Sequence, residues 1–191
     1  MAEFLKDGKN ADGTPVYLST QANNFDLFLP FIERSIELLN DKGRLGFIAP
    51  SVWRLNEYGE GLRTYLHDGK HLDRWIDFGS FQVFDEATTY TALQFYSKRP
   101  KKDVHFVYAH DGAVSNTPDW DDPNWQISYK QLPKLEAWVF VPKYERELIE
   151  KLVKNNFRLD DSKVSSSISQ GLISGAFKLF ANERIGQNKY L

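Results

Sequence analysis

Apolar positions recur along this chain with two periods. Phe28, Phe31, Ile32, Ile36 and Leu39 fall at i, i+3, i+4, i+8 and i+11, the spacing of one apolar face of a helix. Asn40-Asp-Lys-Gly43 ends that helix, and Gly43 suits a left-handed cap. Pro30 constrains its start: either the helix begins at Leu29 with the proline in its first turn, or it is bent. Arg44-Leu-Gly-Phe-Ile-Ala-Pro50 reads as a short apolar strand stopped by proline, and a second helix follows from about Glu57 to Leu66. Leu72 to Phe78 and Tyr90 to Ser97 are rich in aromatic and β-branched residues and read as strands. The connection between them is polar apart from Phe81, Val83, Phe84 and Ala87, so the pair forms a broad hairpin with an aromatic near its tip. Helix, strand, helix, strand, hairpin and strand in that order predict the back half of an α/β sheet with one antiparallel strand added at its end.

Beyond residue 100 the pattern loosens. Asp103-Val-His-Phe-Val-Tyr108 alternates as a strand does, 111–123 carries the Gly, Asn, Pro and Asp of a loop, and Gln126 to Tyr129 reads as another short strand. Pro142 opens a helix running to Val153, and a Ser-rich stretch, Ser162 to Ser169, follows. The expected division is a sheet region over 1–110, a linker over 111–160 with a helix at 143–154, and a further region over 161–191.

Composition narrows the function classes. With 41% hydrophobic and 15% aromatic residues, a chain of 191 residues can build a full core. It contains no cysteine, which excludes a disulfide framework and thiol chemistry and fits a reducing, cytoplasmic setting. No apolar run approaches the ~20 residues of a membrane-spanning helix. The net charge of −2 does not advertise nucleic-acid binding, but Lys98-Arg99-Pro-Lys101-Lys102 gathers four cations at the exit of the hairpin. That run is either a solvated strand end or a phosphate contact.

Four blocks in order carry a resemblance: Asp26-Leu-Phe-Leu-Pro-Phe-Ile-Glu33, Gly43-Arg-Leu-Gly-Phe-Ile-Ala-Pro-Ser-Val-Trp53, Gly61-Leu-Arg63, and Val83-Phe84 with Ala87-Thr-Thr-Tyr-Thr91. Together they resemble the gamma-class N6-adenine DNA methyltransferases of bacterial restriction-modification and phage-defence systems. The match is good over residues 24 to 99 and weaker to residue 180. Gly171, Gly175 and Phe180 match the opening of that family's target-recognition domain, with Phe177 where a small polar residue is usual. The family's Gly-rich turn, its ribose-binding acidic residue and its Asn/Asp-Pro-Pro-Tyr motif are absent. The resemblance therefore implies the C-terminal half of a partial Rossmann-like methyltransferase sheet with a terminal antiparallel β-hairpin, an α+β linker, and the start of a recognition domain.

It also implies roles. Phe84 would stack on a target adenine flipped out of the duplex, while its bland reading is a core residue over the sheet edge, a place better suited to Phe81. Phe31 and Leu27 would line the slot for the adenine of S-adenosylmethionine, the bland reading being the buried stripe of an amphipathic helix. Double-stranded DNA would meet Lys98, Arg99, Lys101 and Lys102, together with Gly171 and Gly175. Arg63 would tie the second helix to backbone oxygens. The methyl transfer needs no metal.

Three tempting matches carry nothing. Asp77-Phe-Gly79 copies a kinase tripeptide without its partners, Gly59-Glu-Gly61 falls inside a helix, and His67 with His71 has no third metal ligand. The parent is expected to be the enzyme and this chain alone inactive; the other reading is a non-catalytic DNA-binding or assembly module completing a methyltransferase. A missing neighbour strand would leave one edge of Leu45 to Ala49 open, to self-association or to cover by Pro15-Val-Tyr-Leu18.

Overall fold

A computed structural model describes residues 2–22, 24–86, 89–114 and 119–155. Two compact units divide the chain, Met1–Glu147 and Leu148–Leu191. The Ser-rich stretch and the candidates Gly171, Gly175, Phe177 and Phe180 lie outside the described residues.

In the first unit the elements are helix α1 (Ala2–Asp7), helix α2 (Phe28–Glu37), strand β1 (Arg44–Pro50), helix α3 (Glu60–Gly69) and strands β2 (Leu72–Asp77), β3 (Thr91–Ser97), β4 (Asp103–Tyr108) and β5 (Gln126–Ser128). Helix α4 (Lys143–Asn155) follows. The strands form one sheet in the order β1-β3-β2-β4-β5. The expected mixed α/β sheet is thus present, and β2 and β3 pair antiparallel as the hairpin required. β3 is not appended at the end, however. It is inserted between β1 and β2, antiparallel to both, while β4 runs parallel to β2. The reason is packing: Ala92, Gln94 and Tyr96 are buried, and a strand so apolar gains most from neighbours on both sides.

Three local expectations are corrected. Gly43 is not a left-handed cap: α2 ends at Glu37 with Leu38 in right-handed conformation, and Gly43 is needed because a Cβ there would press on Leu39 and the Asn40 carbonyl. The left-handed cap belongs to Lys70 (φ 52°), which closes α3. The buried stripe of α2 is Leu29, Ile32, Glu33 and Ile36, so Phe31 turns outward. Pro30 sits in the first turn, where its missing N–H costs nothing. Finally, Pro15 to Leu18 does not cover β1. Pro15 bridges to Lys9, and the short 3-10 turn Leu18–Thr20 packs on α2 and α3. Among the described residues β1 is an edge strand.

The core beneath β2 and β3 is aromatic. Trp53 meets Trp75 and Trp138 edge-on, with centroids 5.8 and 5.9 Å apart, and Phe106 stacks on Phe140 at 5.5 Å. Tyr129, Trp138 and Phe140, from the stretch read as linker, are buried in this same core. Gln94 lies at its centre: its Oε1 accepts from Trp53 Nε1 (3.1 Å) and the Tyr96 hydroxyl (2.6 Å), and its Nε2 donates to the carbonyls of Ala49 and Pro50. A buried amide so fully paired costs little and fixes β3 against the end of β1.

Candidate functional site

β1 and β2 end at the same border of the sheet, on either side of the start of β3. Pro50 pairs with Thr91 and Asp77 with Ala92, so the carboxyl ends of two strands and the start of β3 share one border of the sheet. In open α/β sheets that border is where ligands bind. The long connection bearing Phe84 leaves from it, with Ser51 N–H donating to the Tyr90 carbonyl at 2.8 Å. Helix α2 points the same way. At the opposite border Lys98 Nζ donates to the Ile36 and Glu37 carbonyls (3.2 and 3.1 Å), capping the helix C-terminus, so its first turn is directed toward the Pro50 end. There the Tyr58 hydroxyl bonds Asp26, one residue before Leu27; burial, then the Asp26 charge, push the Tyr58 pKa up.

Leu27, which caps the N-terminus of α2, and Phe31, four residues on, are 55% and 64% exposed, so both present apolar surface outside the core. An open cleft of about 660 Å³ is lined by Ala22, Asn24, Leu55, Tyr58 and Glu60 among others, and neither Leu27 nor Phe31 is among its lining residues.

The start of the Phe84 connection is rigidly held. Asp77 Oδ1 accepts from Gly79 N–H (2.8 Å), and Oδ2 accepts from Arg54 Nη2 and Trp75 Nε1, both at 3.1 Å. Gly79 adopts φ 57°, which favours glycine. The tripeptide dismissed as a kinase echo is therefore a turn, and an aspartate two residues before a glycine is the signal that marks it. Phe81 then folds back, its N–H on the Phe78 carbonyl and its ring against Gly112, where no Cβ would fit. Val83 packs on Ile76, Phe78 and Ala109. Phe84, next in sequence, is 45% exposed and lies outside both apolar clusters, but so does Phe81 at 40%, so Phe81 is not the core residue expected of it.

The basic run divides. Lys98 is spent on α2, and Lys101 pairs with Asp73 at 3.0 Å, whereas Arg99 and Lys102 are exposed. Arg63 is buried, its Nη1 donating to the Trp53 and Asn56 carbonyls and its Nη2 to that of Leu135, which gives α3 the backbone tie expected of it. Burial, foremost, lowers its pKa. Sequence reading missed Arg54, which donates to Asp77 and the Trp138 carbonyl and lies over the Trp75 and Phe140 rings. No group of His, Asp or Glu among the described residues is arranged to hold a metal, and no described helix is long and apolar enough to cross a membrane.

Residues 5–84 match the model of the Eco57I restriction-modification methylase family. Over 163 residues the chain is 31% identical to the type II restriction enzyme and methyltransferase RM.Eco57I of Escherichia coli, covering 84% of this chain and 16% of that protein. It is 29% identical to the type II methyltransferase M.BstVI of Geobacillus stearothermophilus, covering 81% and 31%. Among solved structures, the methyltransferase subunit of a Streptococcus thermophilus type I restriction-modification system matches at 16% identity and a TM-score of 0.43, covering 50% of this chain and 21% of that one. The chain thus spans under a third of the length of these two curated relatives. The resemblance to restriction-modification methyltransferases is borne out.

Proposed function

We propose, from the match of residues 5–84 to the model of the Eco57I restriction-modification methylase family, that this chain is part of a site-specific DNA methyltransferase acting on N6 of adenine with S-adenosylmethionine. The observation that carries the reading is the exposure of three apolar side chains at one border of the sheet: Leu27 and Phe31 on α2, and Phe84 on the connection leaving β2. Two apolar residues one helical turn apart fit the flat adenine of the cofactor. An exposed aromatic on a held loop fits a base taken out of its stack.

S-adenosylmethionine supplies an electrophilic methyl group on a sulfonium. Leu27 and Phe31 would bind its adenine and exclude water, and Phe84 would hold the target ring so that its amino nitrogen lies in line with that methyl. The acceptors for the amine come from the Asn/Asp-Pro-Pro-Tyr motif, which this chain lacks, so the remainder of the catalytic domain is its first partner and duplex DNA its second. Arg99 and Lys102 are the cations of the basic run best placed to meet phosphate, with Gly171 and Gly175 assigned to the recognition region. The whole works in the cytoplasm.

The test has two parts. Titration calorimetry of the 191-residue chain with S-adenosylmethionine should give no low-micromolar binding. In the complete protein Phe84→Ala should cut methyl transfer by the ~1–3 kcal/mol that a base-stacking face provides, with little loss of stability. Transfer left intact in a destabilised variant would make Phe84 a packing residue. The open edge of β1, with Ile48 exposed, favours a second reading, a non-catalytic assembly module. A complete protein that binds DNA and transfers no methyl selects it.

A further inference from the structure

Two residues of the family-like blocks, Glu33 and Gly61, have no part in the chemistry above, and both meet the same piece of backbone. Glu33 is on the buried side of α2, 2% exposed, and its two carboxylate oxygens accept from consecutive N–H groups: Leu18 into Oε1 and Ser19 into Oε2, each at 2.9 Å. Gly61, in the first turn of α3, lies against the other side of that turn, where a Cβ would collide with the Leu18 carbonyl. The turn is itself anchored backward, Thr20 Oγ1 donating to the Leu5 carbonyl and Gln21 Nε2 to that of Lys6.

We propose that Glu33 is a positioning residue for the cofactor slot: by clamping α2 to the Leu18–Ser19 turn, which Gly61 seats on α3, it sets the rotation of α2 and so the direction of Leu27 and Phe31. The inference rests on the reading of those two residues as the adenine slot. The geometry that carries it is angular. Phe31 and Glu33 are two residues apart, about 200° around a helix, so a carboxylate pinned by two hydrogen bonds on the inner side leaves the outer pair one orientation. An apolar residue at position 33 would hold the helix down but would leave it free to roll. A charged acceptor bridging two N–H groups resists that roll, because charge-assisted bonds are short and directional.

The test begins with the 191-residue chain. Glu33→Gln keeps the volume but sets an NH2 group against one of the two N–H donors. Amide exchange at Leu18 and Ser19 should accelerate, and the Phe31 ring resonances should shift while the fold is retained. In the complete methyltransferase the same change should raise the KM for S-adenosylmethionine about tenfold and leave kcat within about twofold. Arg34→Ala, which removes only the exposed pair with Glu37 on the same helix, should leave that KM unchanged. Should Glu33→Gln fail to fold, Gly61→Ala displaces the same turn from the other side and should raise the KM alike. An unshifted Phe31, an unchanged KM, or an equal rise in Arg34→Ala would each overturn the proposal. A wild-type enzyme that transfers no methyl would instead remove the reading on which it rests, and Glu33 would keep only its place in the fold.

Discussion

The carboxylate of Glu33, on the buried face of α2, is one group that links this protein's stability to pH. Burial, outweighing hydrogen bonds from Ser19 and Leu18, pushes the Glu33 pKa up, and the nearby Glu37 charge adds to the rise. Tyr65 on α3 faces the same pair of acids; its pKa is raised foremost by burial, then by Glu37 and Glu33. Because Glu33 holds its proton more tightly folded than unfolded, its contribution to stability is greatest below the ordinary carboxylate pKa. That contribution is lost as pH rises toward the folded value. Across that window the urea midpoint of the wild type should fall with rising pH relative to that of Glu33→Gln. Gln94 is the other residue on which much depends. Replacing it by leucine leaves Trp53 Nε1 and the Tyr96 hydroxyl without their acceptor in the core, each unpaired group costing about 1–3 kcal/mol. Gln94→Leu should lower the thermal midpoint steeply, and a midpoint near that of the wild type would show that the amide is dispensable.

Among the elements, the exit of β3 has two duties. Lys98 caps α2, so Lys98→Met should destabilise the chain by about 0.5–1 kcal/mol and leave the salt dependence of DNA binding nearly unchanged. Arg99→Ala and Lys102→Ala should do the reverse, each reducing the slope of log affinity against log salt by about one while the melting curve stays put. Filter binding over a salt series on the complete protein separates the two; equal slopes for all variants would remove the basic run from the DNA interface. This division was hidden in the sequence, because the four cations are equivalent until the sheet brings the end of α2 to only one of them. The reverse holds for the turn opening the Phe84 connection. Asp77 and Gly79 were there to be read, and only their likeness to another family's motif obscured an aspartate that closes a turn with its own side chain.

For the whole molecule the open edge of β1 has a consequence. An edge strand with Ile48 exposed, next to a helix that presents Leu27, Phe31 and Leu38, offers backbone pairing and apolar contact together. The isolated chain should self-associate at micromolar concentration, and Ile48→Lys should return it to a monomer in sedimentation velocity runs. A wild-type chain that stays monomeric at high concentration would show that this edge seeks no partner.

Periodicity and residue type placed α2 and β1 to β5 to within a few residues, because each of those segments buries a face whose spacing is written in its side chains. The ordered blocks likewise led from Asp26, Trp53, Arg63 and Phe84 to the restriction-modification methyltransferases. Periodicity could not decide which of several apolar residues turns inward. Phe31 and Ile32 are equally apolar, and the choice fell to the docking of the Leu18–Ser19 turn on Glu33, a contact across fourteen and fifteen positions of chain. Nor could it show that β3 enters between β1 and β2, since strand order follows from which faces find cover once all elements meet. Local pattern fixes what a segment is; long-range packing fixes which way it faces, and the candidate site consists of side chains that face away from the core.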